Sequence, residues 1–331
     1  MKNNIIEVSN LNKVFKKQTK SSNLISYLKT LILPEYTYFQ AVKDLNFQIP
    51  EGQIFGFIGA NGAGKSTTIK MLTGILQPTS GNIVIDGYNP QNDRKEYVKE
   101  IGVVFGQRTQ LWWDLPVIET YFVLKEIYQI PDSEFNDRLA FFDDILELRK
   151  FINNPVRTLS LGQRMRADIA ASLLHNPKIL FLDEPTIGLD VSVKDRIRQA
   201  IKEINSQKKT TIILTTHDLR DVEVLCDRIY IINNGQEIFD GTLEKLKSSY
   251  GSMREVVFSV DHINDIEKLN YKLKFPEIEV YVKDNDIHVI FDSNKTVLPE
   301  LIKYTLDKVV VKNILVNETS IEDIVKKIMR T

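Results

Sequence analysis

The segment Gly59-Ala60-Asn61-Gly62-Ala63-Gly64-Lys65-Ser66 constrains the fold more than any other stretch of this chain. It fits G-x-x-x-x-G-K-[ST], follows an apolar run (Ile54-Phe55-Gly56-Phe57-Ile58) and precedes a helical pattern through Met71 and Leu72. Small residues let successive backbone N–H groups turn inward on a phosphate, and the following helix adds its positive end. Lys65 is placed to reach the β- and γ-phosphates and the Ser66 hydroxyl to ligate Mg²⁺. The loop predicts nucleotide binding by Gly59, Asn61, Gly62, Ala63, Gly64, Lys65, Ser66 and Thr67.

A second run, Lys178-Ile179-Leu180-Phe181-Leu182-Asp183-Glu184-Pro185, reads as a buried strand ending in two acids. Four large apolar residues are ordinary for a central strand of a parallel sheet, whereas adjacent carboxylates at its carboxyl end are not. Asp183 is expected to hold Mg²⁺ and Glu184 to polarise an attacking water. Downstream, helix 192–207, strand 211–215, helix 218–226 and strand 228–232 alternate, which implies a largely parallel sheet with helices packed on it.

The chain has 331 residues, enough for one or two domains. Its 43 Lys+Arg against 44 Asp+Glu give a net charge of −1, which argues against a generic polyanion binder, so no nucleic-acid partner is expected. One cysteine, Cys226, excludes an internal disulfide and fits a reducing compartment, and the four histidines (175, 217, 262, 288) lack zinc-ligand spacing. Residues 1–4 run directly into an alternating segment with no secretory leader, and no apolar run has the ~20 residues of a membrane span. The expectation is a soluble intracellular protein whose work at a membrane goes through a partner.

Residues 5–11 and Ala41–Ile49 alternate like strands. The stretch 16–39 between them reads as an insertion carrying Lys16, Lys17 and Lys20 and a short amphipathic helix around Leu24, Ile25, Leu28, Leu31 and Ile32. Its apolar stripe packs on its own domain or touches lipid headgroups or a membrane subunit. After Gly241 the order becomes strand 254–261, helix 263–274, a hairpin 278–291 around Asn285, helix 297–306, strand 309–316 and helix 321–329. That βαββαβ order suggests a ferredoxin-like second domain. The expected division is 1–247, with a helical subdomain at about 110–170, and 248–331.

Further motifs make the family specific. Leu159-Ser160-Leu161-Gly162-Gln163 resembles the signature motif of ATP-binding cassette proteins, Gln107 their Q-loop, Gly188-Leu189-Asp190 their D-loop and His217 their switch histidine. The motifs appear in the family's order over residues 5 to about 241, with Leu161 standing where glycine is commonest. The resemblance implies an α/β P-loop NTPase cassette: a mainly parallel sheet, an antiparallel β subdomain and a helical subdomain. It implies ATP and Mg²⁺ as ligands and head-to-tail pairing, so that Ser160, Gly162 and Gln163 of one cassette, with Asp190 nearby, meet ATP held by the phosphate loop of another. Gln107 then contacts Mg²⁺ or the attacking water, and His217 holds the γ-phosphate and the water with Glu184. Phe15, where the first strand ends, is the expected adenine-stacking ring; Tyr36 and Tyr38 are equally flat alternatives.

The resemblance further implies an ATPase subunit driving a separate membrane permease, for export, on the cytoplasmic face of the membrane. Its tail resembles the accessory domain of the drug- and sodium-export-like branch, with a regulatory, dimer-bracing or merely structural role. Trp112 and Trp113, the chain's two tryptophans, fall where the family forms a groove for a permease helix, or else pack inside the helical subdomain. The alternative is a soluble cassette ATPase acting on ribosomes or DNA. A single phosphate loop, and a stretch between Lys65 and Ser160 too short for a long coiled coil, speak against it.

Overall fold

The computed structural model describes residues 4–18, 36–106, 108–251, 253–260, 269, 271–283, 286–318 and 321–330. The chain forms two compact units, Met1–Gly241 and Thr242–Thr331. The division falls after Gly241 rather than after residue 247, so the helix at 243–250 belongs to the second unit.

The first unit opens with two long strands, β1 (Asn4–Gln18) and β2 (Tyr36–Pro50), paired antiparallel. Both outrun the expected segments: 16–18 and 36–39 are strand, not part of a helical insertion, because the cross-strand ladder continues through Phe15–Phe39 and Lys16–Tyr38. The expected helix at 24–32 lies outside the described residues. Then follow β3 (Ile54–Ile58), α1 (Lys65–Leu72), β4 (Ser80–Ile85), α2 (Arg94–Tyr97) and β5 (Ile101–Phe105). Three helices come next, α3 (Val117–Ile127), α4 (Asp132–Leu146) and α5 (Leu161–Leu173). The unit closes with β6 (Ile179–Asp183), α6 (Val191–Lys208), β7 (Thr211–Thr216), α7 (Leu219–Leu225), β8 (Arg228–Asn233) and β9 (Gln236–Gly241).

Two sheets result. One is antiparallel, β2-β1-β4, and the other has the order β5-β6-β7-β3-β8-β9, parallel except for β9. Every residue of β3 and β7 is buried, which is why these strands read as unbroken apolar or threonine runs without alternation. The rings of Phe47, Phe55, Phe57 and Tyr230 interlock at centroid separations of 5.0–6.1 Å and weld the antiparallel sheet onto the parallel one. Each such burial contributes about 1.5–3 kcal/mol. The core thereby fixes β3, β6 and β7 side by side with their carboxyl ends on one edge, where open parallel sheets hold ligands.

The second unit starts with α8 (Leu243–Tyr250), begun by Thr242, whose side chain accepts from Lys245 N. It continues through β10 (Met253–Val260), α9 (Tyr271–Lys274), β11 (Glu279–Lys283), β12 (Asp286–Asp292), α10 (Leu298–Leu306), β13 (Val311–Glu318) and α11 (Ile321–Arg330). Its antiparallel sheet has the order β11-β12-β10-β13, the ferredoxin-like arrangement. Val256, Phe258, Ile287, Val289 and Phe291 on one face form a separate core with Tyr271 and Leu301. Residues 284–285 at the expected hairpin turn and 263–268 of the expected helix lie outside the described residues.

Candidate nucleotide-binding site

The turn from β3 into α1 requires its glycines. Gly62 and Gly64 sit at φ 83° and 110°, a region that side chains resist. A Cβ on Gly64 would stand 2.6 Å from Ala41 O, and one on Gly59 2.6 Å from Ile232 O. Lys65 opens α1 and is buried, its ammonium donating to Gly59 O (2.7 Å) and Ala60 O (3.2 Å). Burial lowers its pKa from the usual lysine value, while the Glu184 and Asp183 carboxylates pull it back up.

Asp183 ends β6 and reaches toward α1 and β7. Its Oδ1 accepts from Ser66 Oγ at 3.3 Å and from Thr215 Oγ1 at 2.5 Å. Glu184 follows in left-handed backbone, φ 56°, its N–H donating to Thr215 O (3.0 Å) and Oγ1 (3.1 Å). His217, just past β7, brings Nδ1 to 3.3 Å from Glu184 Oε2. A cleft of about 830 Å³ is lined by Asn61, Gly62, Gly64, Lys65, Ser66, Thr67, Asp183, Glu184 and His217, together with Phe15, Phe39, Arg108 and Ile187. The loop, the acid pair and the histidine, far apart in sequence, thus share one cavity wide enough for a nucleotide.

Of the three candidate adenine rings, Phe15 lines the cleft, and Tyr36 and Tyr38 do not. Tyr36 instead lies under the Lys16 ammonium, 3.6 Å from its ring centroid. Gln107 lies outside the described residues; its neighbours Gly106 and Arg108 line the cleft. Several lining or supporting residues escaped the sequence reading, Arg108 and Ile187 among them, and two show why. Phe39 is the cross-strand partner of Phe15, a register visible only once β1 and β2 are known to extend. Thr215 carries a signal, the Thr-Thr-His run, but its three bonds to the acid pair depend on β7 lying beside β6.

The Ser160 segment is built differently. Ser160 caps α5 with a reciprocal pair: Gln163 N donates to Ser160 Oγ (3.2 Å) and Ser160 N to Gln163 Oε1 (2.9 Å). Gly162 is buried under α6, where a Cβ would meet Val193 Cγ1 at 2.5 Å. Gly188 approaches Leu161, and Asp190 is the exposed residue that starts α6. Among the described residues, Ser160, Gly162, Gln163 and Asp190 do not line the cleft that contains Lys65.

A phosphate loop on a parallel sheet, an acid pair at the next strand end but one and a histidine beside them define a P-loop nucleoside triphosphatase. The family model described as ABC transporter matches residues 42–187. The linearmycin resistance ATP-binding protein of Bacillus subtilis (strain 168) is 35% identical over 224 residues, 68% of this chain and 71% of that one. ABC transporter A family member 1 of Dictyostelium discoideum is 39% identical over 226 residues, 68% of this chain but 25% of that protein, so this chain spans about a quarter of its length. A dimeric ATP-binding cassette in a post-hydrolysis state, bound to ADP and Pi, superposes with a TM-score of 0.59 at 27% identity, over 72% of this chain and 98% of that one. The chain belongs to the ABC transporter family. Its first unit is a cassette that binds and hydrolyses ATP.

Proposed function

We propose that this chain is the nucleotide-binding subunit of an ABC transporter, pairing with a second cassette around two ATP and driving a separate integral membrane permease, for export. The observation that carries the pairing is that neither Ser160 nor Gly162 lines the cleft holding Lys65, Asp183, Glu184 and His217. A cassette whose signature residues stand away from its own nucleotide needs a partner's to complete the site. Export is supported by the resistance protein among its relatives. Peripheral placement at the cytoplasmic face is compatible with the described residues, in which no helix is long and apolar enough to cross a membrane.

In this reading Lys65 and the loop amides bind the β- and γ-phosphates. Mg²⁺ fits Ser66 Oγ and Asp183 Oδ1, hard oxygen donors lying 3.3 Å apart at the end of the phosphate loop. Bound there, the ion neutralises phosphate charge. Gln107 is the further ligand or water contact by its chain position. Glu184 polarises the attacking water, His217 holds Glu184 and the γ-phosphate, and Phe15 stacks on adenine. Ser160, Gly162 and Gln163 act on the partner's ATP, with Asp190 beside them.

The loop bearing Trp112 and Trp113 is the permease contact, its indoles 48% and 49% exposed beside Leu115 at 39%. The second unit regulates or braces the dimer. Affinity purification of the chain from native membranes in mild detergent tests this reading. A polytopic membrane protein in near-stoichiometric yield supports it; ribosomes or DNA-associated proteins without a membrane partner overturn it.

A further inference from the structure

The loop between β5 and α3 holds both tryptophans of the chain, and it is laced to the segment that leads into Ser160. Arg157 N donates to Trp113 O (2.9 Å), Val156 N to Leu115 O (3.0 Å), and the Arg157 guanidinium lies 3.3 Å from the Asp114 carboxylate. The Arg164 guanidinium covers the Trp113 ring at 4.6 Å. A further tie is buried. Asp168, on α5 and 5% exposed, accepts at Oδ1 from Thr109 Oγ1 (3.0 Å) and from Gln110 N (3.1 Å), while Gln110 Nε2 returns a bond to Asp168 O (3.1 Å).

A carboxylate is a costly choice for that tie. Its neighbours Ala167, Ile169 and Ala170 are buried, and its hydrogen-bonding donors are neutral. A charge without an ion pair is expensive to bury, whereas an uncharged acceptor of the same shape would tie the loop without that cost. We propose that Asp168 is a positioning residue: its carboxylate clamps the two-tryptophan loop onto the helix that begins at Ser160, and its charge keeps the clamp releasable. The functional sense of the clamp rests on the proposed roles of Ser160 and of the tryptophan loop. It makes docking at the loop and nucleotide contact at Ser160 two ends of one element that can be tightened or freed.

The clamp has a proton linkage with a defined sign. Burial pushes the Asp168 carboxyl up to about 6 from its usual 3.8, against the opposing pull of Gln110, Thr109 and Arg164. The charged and titratable groups facing it are Arg164, one turn earlier on α5, and the buried Tyr121 phenol on α3, which donates to Ala167 O. A freed loop hydrates the carboxyl and restores its ordinary value. Between about pH 4 and 6 the closed loop therefore binds a proton that the open loop does not, and acid favours closure. Above about pH 6 both states are ionised, and the closed one bears the full cost of the buried charge.

Because Trp112 and Trp113 are the only tryptophans, acrylamide quenching of intrinsic fluorescence reads this loop directly, on the full chain without nucleotide or partner. In the wild type, quenching should hold steady from pH 8 to about 6 and fall as the pH drops from about 6 to about 4. Asp168→Asn should quench as the acid form does at every pH in that range. Asp168→Ala, which strands the Thr109 and Gln110 donors, should quench about twofold more strongly than wild type at pH 8, with ATP affinity at the Lys65 loop unchanged. Thr109→Val removes one donor without touching the carboxylate, and should raise quenching even where the alanine variant does not fold. A pH step that persists in Asp168→Asn, or wild-type quenching in Thr109→Val, overturns the clamp. Failure to capture a permease would sink the transport reading and leave this fluorescence result standing.

Discussion

His217 Nδ1 stands 3.3 Å from Glu184 Oε2, and Glu184 itself is held in a left-handed conformation. That backbone costs about 1–3 kcal/mol on a residue with a side chain and persists only where the surroundings enforce it. Here Thr215 enforces it by accepting the Glu184 N–H at both its carbonyl and its hydroxyl. The result aims one carboxylate of the acid pair into the cleft beside the histidine, while Asp183 turns to Ser66. Glu184→Gln keeps the shape and removes the base. Steady-state ATPase should fall about 10²- to 10⁴-fold, and ATP-bound dimer should accumulate on size-exclusion chromatography. Undiminished hydrolysis would remove Glu184 from this role.

Lys65→Ala acts at binding instead. The ammonium is the charged donor on the phosphate loop, anchored on Gly59 and Ala60 carbonyls. Hydrogen bonds to charged groups contribute about 1.5–3 kcal/mol, so the Kd for ATP should rise about 10- to 100-fold. Equilibrium titration with ATP checks it, and an unchanged Kd would show that the loop amides alone hold the phosphates.

Pairing between cassettes has a test that does not need the permease. Ser160→Arg blocks the signature face and leaves the cleft intact, since Ser160 does not line it. Lys65→Ala disables the cleft and leaves the signature face intact. Each variant alone should be inactive, and a mixture should recover part of the ATPase activity. Sites completed within one chain predict no recovery.

Much of this cleft was legible because its parts are local. The strand, glycine turn and helix around Lys65 are contiguous, and the Asp183-Glu184 pair sits on a strand too apolar to be elsewhere than the core. What was not legible depends on register between distant segments. Phe39 reaches the cleft only because it pairs with Phe15 across strands longer than their alternating patterns, whose outer ends are exposed on both faces and so carry no apolar rhythm. Thr215 looked like an ordinary strand residue until β6 and β7 were side by side. Asp168 follows the signature segment on a helix whose pattern gave no reason for a buried acid; its reason is the loop at 109–110. The assignment of α8 to the second unit rests on its packing with α11, a contact between segments far apart in the chain.

A buried ion network joins α6 to α7 and to Thr216 at the end of β7, one residue before His217. Arg198 on α6 is 2% exposed; its Nε donates to Asp221 Oδ1 at 2.6 Å, and its guanidinium also bridges Asp195 and Asp218. Asp221 accepts at Oδ2 from Thr186 and Thr216. Removing one partner leaves the other charge buried without compensation, at a cost of about 3–5 kcal/mol. Arg198→Ala should therefore lower the unfolding free energy read from urea titration by that amount, whereas Arg220→Ala, exposed at the same helix pair, should cost under about 1 kcal/mol. Equal effects of the two substitutions would show that the network is not what holds α6 to α7.

The two indoles offer the sharpest separation of docking from packing. Each leaves about half its surface in solvent, and the ring contact described for them is light, the Arg164 guanidinium over Trp113; the Trp112 bond to Thr120 Oγ1 at 3.2 Å comes from the main-chain N–H. A partly exposed cation–π contact is worth about 0.5–1 kcal/mol. Truncating both side chains leaves every backbone bond from the loop to residues 156 and 157 in place. The double variant Trp112→Ala with Trp113→Ala should therefore fold, bind ATP with wild-type affinity and lose its co-purifying membrane protein. Retention of that partner would end the docking role. A loss of several kcal/mol in unfolding free energy would assign the pair to the interior of the helical subdomain, because half-exposed rings that matter only for docking have little stability to give up.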